Sequence, residues 1–164
     1  MSNDDLVRGF IADLEKLYGT PSGKCASFNV QEVADARHAE WDDGKNHVTI
    51  RIPPRMNDID RNGQLAHESF HAFSPAKLSE ATYLDEGLAT LNAKQSQNYI
   101  PYSNDAKYCE ALWLVEHLIA TCSDSIKKLL SLKGRIALVS GSDIVAACKE
   151  FPLSVAQLLA RKFY

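Results

Sequence analysis

The chain has 164 residues, with 18 Lys+Arg against 21 Asp+Glu and a formal net charge of −3. A chain of this length suits one domain with its own core, burying roughly 70% of the surface it exposes when unfolded. Its 45% apolar and 24% charged content excludes a disordered, collagen-like or low-complexity chain. The near-neutral balance gives no electrostatic case for nucleic acid.

In chain order, Leu6, Phe10, Ile11, Leu14, Leu17 and Tyr18 recur at helical spacing, and Gly19-Thr20-Pro21 ends the run. This predicts an amphipathic helix over residues 4–18. Three short strands follow, at Ala26–Val30, Ala36–Trp41 and Val48–Ile52, the last alternating Val48, Ile50 and Ile52 with Thr49 and Arg51. Asp42-Asp43-Gly44-Lys45-Asn46 reads as a turn, and Pro53-Pro54 stops the sheet. Beyond it the chain reads as helices at about Asn62–Phe73, Thr82–Gln95 and Asn104–Thr121, then Asp124–Leu132, Asp143–Glu150 and Leu153–Phe163. No repeat or linker divides it. The expectation is one α+β domain over residues 1–164: an N-terminal helix and a small, mostly antiparallel sheet, then a helical C-terminal part.

Cys25, Cys109, Cys122 and Cys148 are dispersed, with no C-x-x-C pair. In a chain with its own core they are expected as reduced, buried small hydrophobes. The start, Met-Ser-Asn-Asp-Asp-Leu-Val-Arg, lacks the basic region and apolar run of a signal peptide. The apolar stretch Ala111–Ala120 is interrupted by Glu116 and His117, well short of the ~20 residues of a membrane span. A cytoplasmic location without membrane association is the default, with secretion lacking a cleaved signal left open.

His67-Glu68-Ser69-Phe70-His71 is an H-E-x-x-H sequence on an expected helix. Residues four apart share one helical face, with Cβ atoms ~5–6 Å apart. Two imidazoles there reach a single Zn²⁺ at ~2.0–2.1 Å. Glu68, one position on, points beside the metal, where a carboxylate takes a proton from metal-activated water. Such a sequence also arises by chance, and two helix histidines are often only surface residues. The neighbours Leu65, Ala66, Phe70 and Phe73, however, mark a buried helix, in which unpaired imidazoles and a carboxylate are costly.

Leu65-Ala66-His67-Glu68-Ser69-Phe70-His71, followed by Tyr83-Leu84-Asp85-Glu86-Gly87-Leu88-Ala89, resembles the gluzincin metallopeptidases, in particular the minigluzincin and peptidase-MA-like group. The resemblance implies a zincin-like fold, one zinc ion per chain held by His67, His71 and Glu86, and Glu68 as general base. It extends more weakly over residues 36–163. His38-Ala39-Glu40-Trp41 is similar to the family's substrate-binding edge strand, and Tyr108–Val115 to the helix after the glutamate. A metzincin would continue with Gly and His, but Ala72-Phe73-Ser74-Pro75 follows. His117 lies far downstream among apolar residues and reads as an ordinary helix histidine, while His38 and His47 read as strand or turn residues. Glu86 is the better third ligand.

The implied activity is a peptidase, more specifically an endopeptidase taking an extended peptide or protein antiparallel to Ala39–Trp41. Tyr108 is the first choice for stabilising the oxyanion, with Tyr99 and Tyr102 as alternatives. Thr90 is expected to bond its own helix rather than orient a ligand. The competing reading is a zinc-stabilised binding or regulatory protein without turnover; the intact Glu68 argues against it, because a structural site needs no base. Asp58-Ile59-Asp60-Arg61-Asn62-Gly63 resembles half of a calcium loop, but its twelfth position is Ser69, so calcium is not expected.

Overall fold

A computed structural model describes residues 1–164 as a single α+β domain. Its elements are α1 (Asn3–Tyr18), β1 (Ser27–Glu32), β2 (His38–Asp42), β3 (His47–Ile52), α2 (Asp58–Phe73), α3 (Tyr83–Gln97), α4 (Ala106–Thr121), α5 (Ser125–Lys133), α6 (Gly141–Ala147) and α7 (Leu153–Leu159), with a 3₁₀ turn at Ile136–Leu138. No helix is long and apolar enough to cross a membrane.

The sheet is mixed rather than mostly antiparallel. Its order is β1-β3-β2, with β3 parallel to β1 and antiparallel to β2. After β1 the Val33 amide donates to the Ile52 carbonyl at 2.9 Å, and the chain turns at Asp35, whose φ is +60°. That turn carries it around the end of β3, so β2 returns on the far side and begins at His38 rather than Ala36. The β2–β3 hairpin closes through Asn46, at φ +48°; aspartate and asparagine tolerate this left-handed region better than most residues.

The alternation in β3 puts Val48, Ile50 and Ile52 on a fully buried face. They join Val7, Phe10 and Ile11 of α1 and Leu65 and Ala66 of α2 in one core. A second core gathers the remaining helices around Phe70, Phe73, Leu84, Leu88 and Leu118. Removing a buried aromatic such as Phe70 or Phe73 costs about 3–5 kcal/mol. Helix α2 therefore contributes to both cores.

Capping explains the helix starts. Helix α2 begins four residues earlier than the sequence suggests, because the Asn57 side chain accepts from the Asp60 amide at 2.9 Å. Asp58 and Asp60 occupy its first turn, where carboxylates complement the helix dipole; the calcium-like pattern is this helix start. Thr82 caps α3 by accepting from the Asp85 amide at 3.2 Å. Helix α7 ends at Leu159, short of Phe163, because residues beyond it pair with the start of α3: the Tyr83 amide donates to the Arg161 carbonyl and the Phe163 amide to the Ala81 carbonyl.

The cysteines correct a further expectation. Cys122 and Cys148, at the C-terminal ends of α4 and α6, form a disulfide with a Cα–Cα distance of 5.7 Å. Of the two free cysteines, Cys25 is buried and Cys109 exposed. The expectation of four reduced cysteines therefore fails for this pair, which the spacing in sequence did not reveal.

Candidate metal centre

Helices α2 and α3 pack side by side, and each contributes part of one site. On α2 the i, i+4 spacing puts His67 and His71 on the same face, with ring centroids 5.3 Å apart. The first turn of α3 supplies Glu86. Its Oε2 lies 3.3 Å from His67 Nε2 and 3.7 Å from His71 Nε2. The edge of a tetrahedron with metal–ligand bonds of ~2.0–2.1 Å is about 3.3 Å, so these separations suit three ligands of one ion. Glu86 Oε2 and His67 Nδ1 are buried without a hydrogen-bond partner. Together the three side chains form a group able to hold a metal ion.

Asp85 adds a second carboxylate. It is wholly buried, and its Oδ2 faces His71 Nδ1 at 3.5 Å, which turns His71 Nε2 toward Glu86. A carboxylate behind a ligating imidazole orients the ring and raises its basicity. Burial lowers the affinity of His71 for a proton, but Glu86 and Asp85 outweigh it and hold the imidazole well above its ordinary value. Burial pushes Glu86 up; the charge of His71 outweighs it and keeps the carboxyl far below the usual carboxylate range. Asp85, for which burial dominates, is raised. No lysine or arginine pairs with either carboxylate. Two imidazoles and a buried carboxylate, with a second carboxylate behind one ring and no lysine or arginine among them, are a donor set that a divalent cation suits.

Glu68 sits beside this group, 2% exposed. Gln64, one turn earlier, donates from Nε2 to Glu68 Oε1 at 2.6 Å and to the Tyr102 hydroxyl at 2.9 Å. Tyr102 in turn donates to the Arg37 carbonyl, just before β2, at 3.1 Å. One oxygen of Glu68 is thereby fixed, and Oε2 has no protein partner.

Tyr164 donates to Glu86 Oε1 at 3.1 Å and lies 2.7 Å from the Tyr108 hydroxyl. A tyrosine has one proton to give. Tyr164 gives it to Glu86, so Tyr108 must donate to Tyr164. Burial, reinforced by the nearby glutamates, pushes Tyr102, Tyr108 and Tyr164 well above the ordinary phenol value. All three are neutral donors near pH 7.

These residues border a narrow cleft with room for about 50 Å³. One wall is Arg37, His38 and Ala39 at the outer edge of the sheet; the other is the α2–α3 loop around Lys77 and Leu78. Arg135 holds that loop by donating to the Pro75 carbonyl at 3.1 Å and to Glu80 at 3.0 Å. Lys77 pairs with Asp43 at 2.5 Å, tying the loop to the β2–β3 turn.

The structure thus brings His67, His71, Glu86, Glu68 and Tyr108 to one cleft. Tyr102 also reaches the cleft, whereas Tyr99 packs against Gly63, where a Cβ would come within 2.0 Å of its ring. Thr90 donates to the Glu86 backbone carbonyl at 2.8 Å, as an ordinary helix hydroxyl. His117 stacks on Trp113, and His47 bonds Ser27 and Asn29; His38 borders the cleft, at the start of β2, the strand likened to a substrate-binding edge. Gln64, four residues before Glu68, was findable from helical spacing, but Tyr164 carried no local signal. Cys122, Cys148 and Glu150 also cluster, but the two sulfurs are bonded to each other and offer no thiolate. No protein-family model, curated protein or solved structure matches the chain.

Proposed function

We propose that the protein is a zinc-dependent peptidase of the gluzincin type, holding one zinc ion through His67, His71 and Glu86 and cleaving extended peptide chains internally. The observation that carries this reading is the convergence of Nε2 of both histidines on Glu86 Oε2, with a buried carboxylate beside them in an open cleft. Zinc held by these residues would supply Lewis acidity, polarising a peptide carbonyl and lowering the pKa of water to roughly 7.

The chain's own groups do the rest. Glu68 Oε2 accepts the proton of the attacking water and returns it to the leaving amine nitrogen. Gln64 keeps Glu68 from rotating out of line by holding Oε1. Tyr108 is the proposed oxyanion donor; rotation of its phenol O–H turns the hydrogen bond it makes to Tyr164 in this arrangement toward the substrate oxygen, the proton staying on Tyr108, while Tyr164 keeps its own bond to Glu86. β2 pairs with β3 on one side only, so its outer edge accepts an extended substrate as an added strand. Arg37, His38 and Ala39 place that edge at the cleft.

The test is metal content against ligand identity. The purified chain should hold one zinc, and His67→Ala, His71→Ala and Glu86→Ala should each lose both zinc and cleavage of a mixed peptide library. Full zinc occupancy in any of these variants refutes the ligand set.

A further inference from the structure

Tyr164 lines the cleft, and residues 161–163 anchor the segment that carries it there. Lys162 bridges antiparallel to Thr82, the cap residue of α3, and its ammonium donates to the Glu80 carbonyl at 2.9 Å. Phe163 is 2% exposed, with its ring 5.0 Å from that of Tyr83 and 4.8 Å from that of Tyr108. Lys107 donates to the Phe163 carbonyl and lies 4.6 Å over its ring. This stitching turns the chain back across the start of α3. Although the outer surface of Tyr164 is exposed, its hydroxyl reaches Glu86.

We propose that Tyr164 is a positioning residue for the metal ligand Glu86, fixing which carboxylate oxygen faces the histidines. The terminal torsion of a glutamate is broad and roughly two-fold, so an unrestrained Glu86 exchanges its oxygens or presents both. The Tyr164 hydroxyl engages Oε1 at 3.1 Å, and Oε2 is left unpartnered toward His67 and His71. Tyr108, donating at 2.7 Å, holds the Tyr164 oxygen and directs its proton at Glu86. The segment that delivers Tyr164 is anchored on Ala81, Thr82 and Tyr83, immediately before Glu86 on the same helix, so hydroxyl and carboxylate move as one unit. This role rests on the metal-centre reading but is independent of any peptidase activity.

The experiment measures zinc affinity of the full chain by competition with a chromophoric chelator. Tyr164→Phe removes only the hydroxyl and should weaken zinc binding about 10- to 100-fold, the range for partners of metal ligands, with the melting temperature of the metal-free protein unchanged. In a Glu86→Gln background the same substitution should cause no further loss. With cobalt in place of zinc, Tyr164→Phe should alter the visible absorption spectrum, a change that a remote packing defect does not produce. Wild-type zinc affinity and an unchanged cobalt spectrum in Tyr164→Phe would overturn the proposal while leaving the metal centre standing. A wild-type chain that takes up no zinc would overturn both.

Discussion

Replacing Gly87 with alanine probes why a glycine follows Glu86, the proposed ligand. Gly87 lies inside α3, where alanine is intrinsically favoured over glycine by about 0.8–1.0 kcal/mol. A Cβ at this position, however, would lie 2.5 Å from the Ala111 carbonyl oxygen, 2.6 Å from Val115 Cγ2 and 2.9 Å from the Ala111 carbonyl carbon. Two of these atoms belong to the α4 backbone, so relief requires the helices to separate rather than a side chain to rotate. Overpacking of this kind costs about 1–3 kcal/mol. Because the contacts with backbone lie far inside ordinary contact distance, the cost should fall toward the upper end of that range. Net of the propensity gain, Gly87→Ala should destabilise the protein by up to about 2 kcal/mol, lowering the urea midpoint followed by circular dichroism. Glu86 adjoins the clash, and shifting α3 moves its carboxylate relative to histidines carried by α2, so zinc affinity should fall as well. A variant as stable as the wild type with unchanged zinc affinity would refute the reasoning that close approach of α3 and α4 sets the position of Glu86.

Opening the Cys122–Cys148 bond, whose residues are 26 apart in sequence, releases a loop worth about 3.5 kcal/mol in the chain-entropy account; urea midpoints with and without reductant should differ accordingly, and coincident midpoints would refute it. Gln64→Leu should lower kcat about 10- to 100-fold with zinc uptake unchanged, because Glu68 loses its fixed orientation; an unaltered kcat would remove Gln64 from the account. Burial raises Tyr18 from 10.0 to about 12. The folded state therefore favours the neutral phenol, and the stability this group contributes is complete below pH 10 and lost as pH rises through about 12. Tyr18→Phe should unfold at a higher pH than the wild type in an alkaline titration.

The clustering of His67, His71 and Glu86 was legible because its geometry is local. His67 and His71 are neighbours through helical periodicity alone, Glu68 follows from the same turn, and Glu86 begins the next helix over a short loop. The element types were legible for the same reason, from the alternation in β3 and the apolar stripes of the helices. What escaped depends on distant chain meeting. Nothing near Phe28 or Val30 states that β1 lies parallel to β3, because the crossover is set by the turn at Asp35 and by where Ile52 ends. Cys122 and Cys148 each end a separate helix, and only the packing of α4 against the later helices brings their sulfurs together. Helical periodicity carried the expected last helix to Phe163, whereas Arg161 and Phe163 instead bond the chain around Tyr83 and send Tyr164 to Glu86. Asp85 stood in plain view beside Glu86, but its role required knowing which side of α3 faces His71.

The most direct test of the central claim compares wild type and Glu68→Gln for zinc content and for digestion of a mixed peptide library. The account predicts one zinc per chain in both proteins and cleavage by the wild type alone, since the substitution keeps the ligands His67, His71 and Glu86 and removes only the base. Comparable cleavage by Glu68→Gln would contradict the assignment of Glu68. A zinc-loaded wild type that cleaves nothing in the library would contradict the peptidase itself and identify the site as a binding centre.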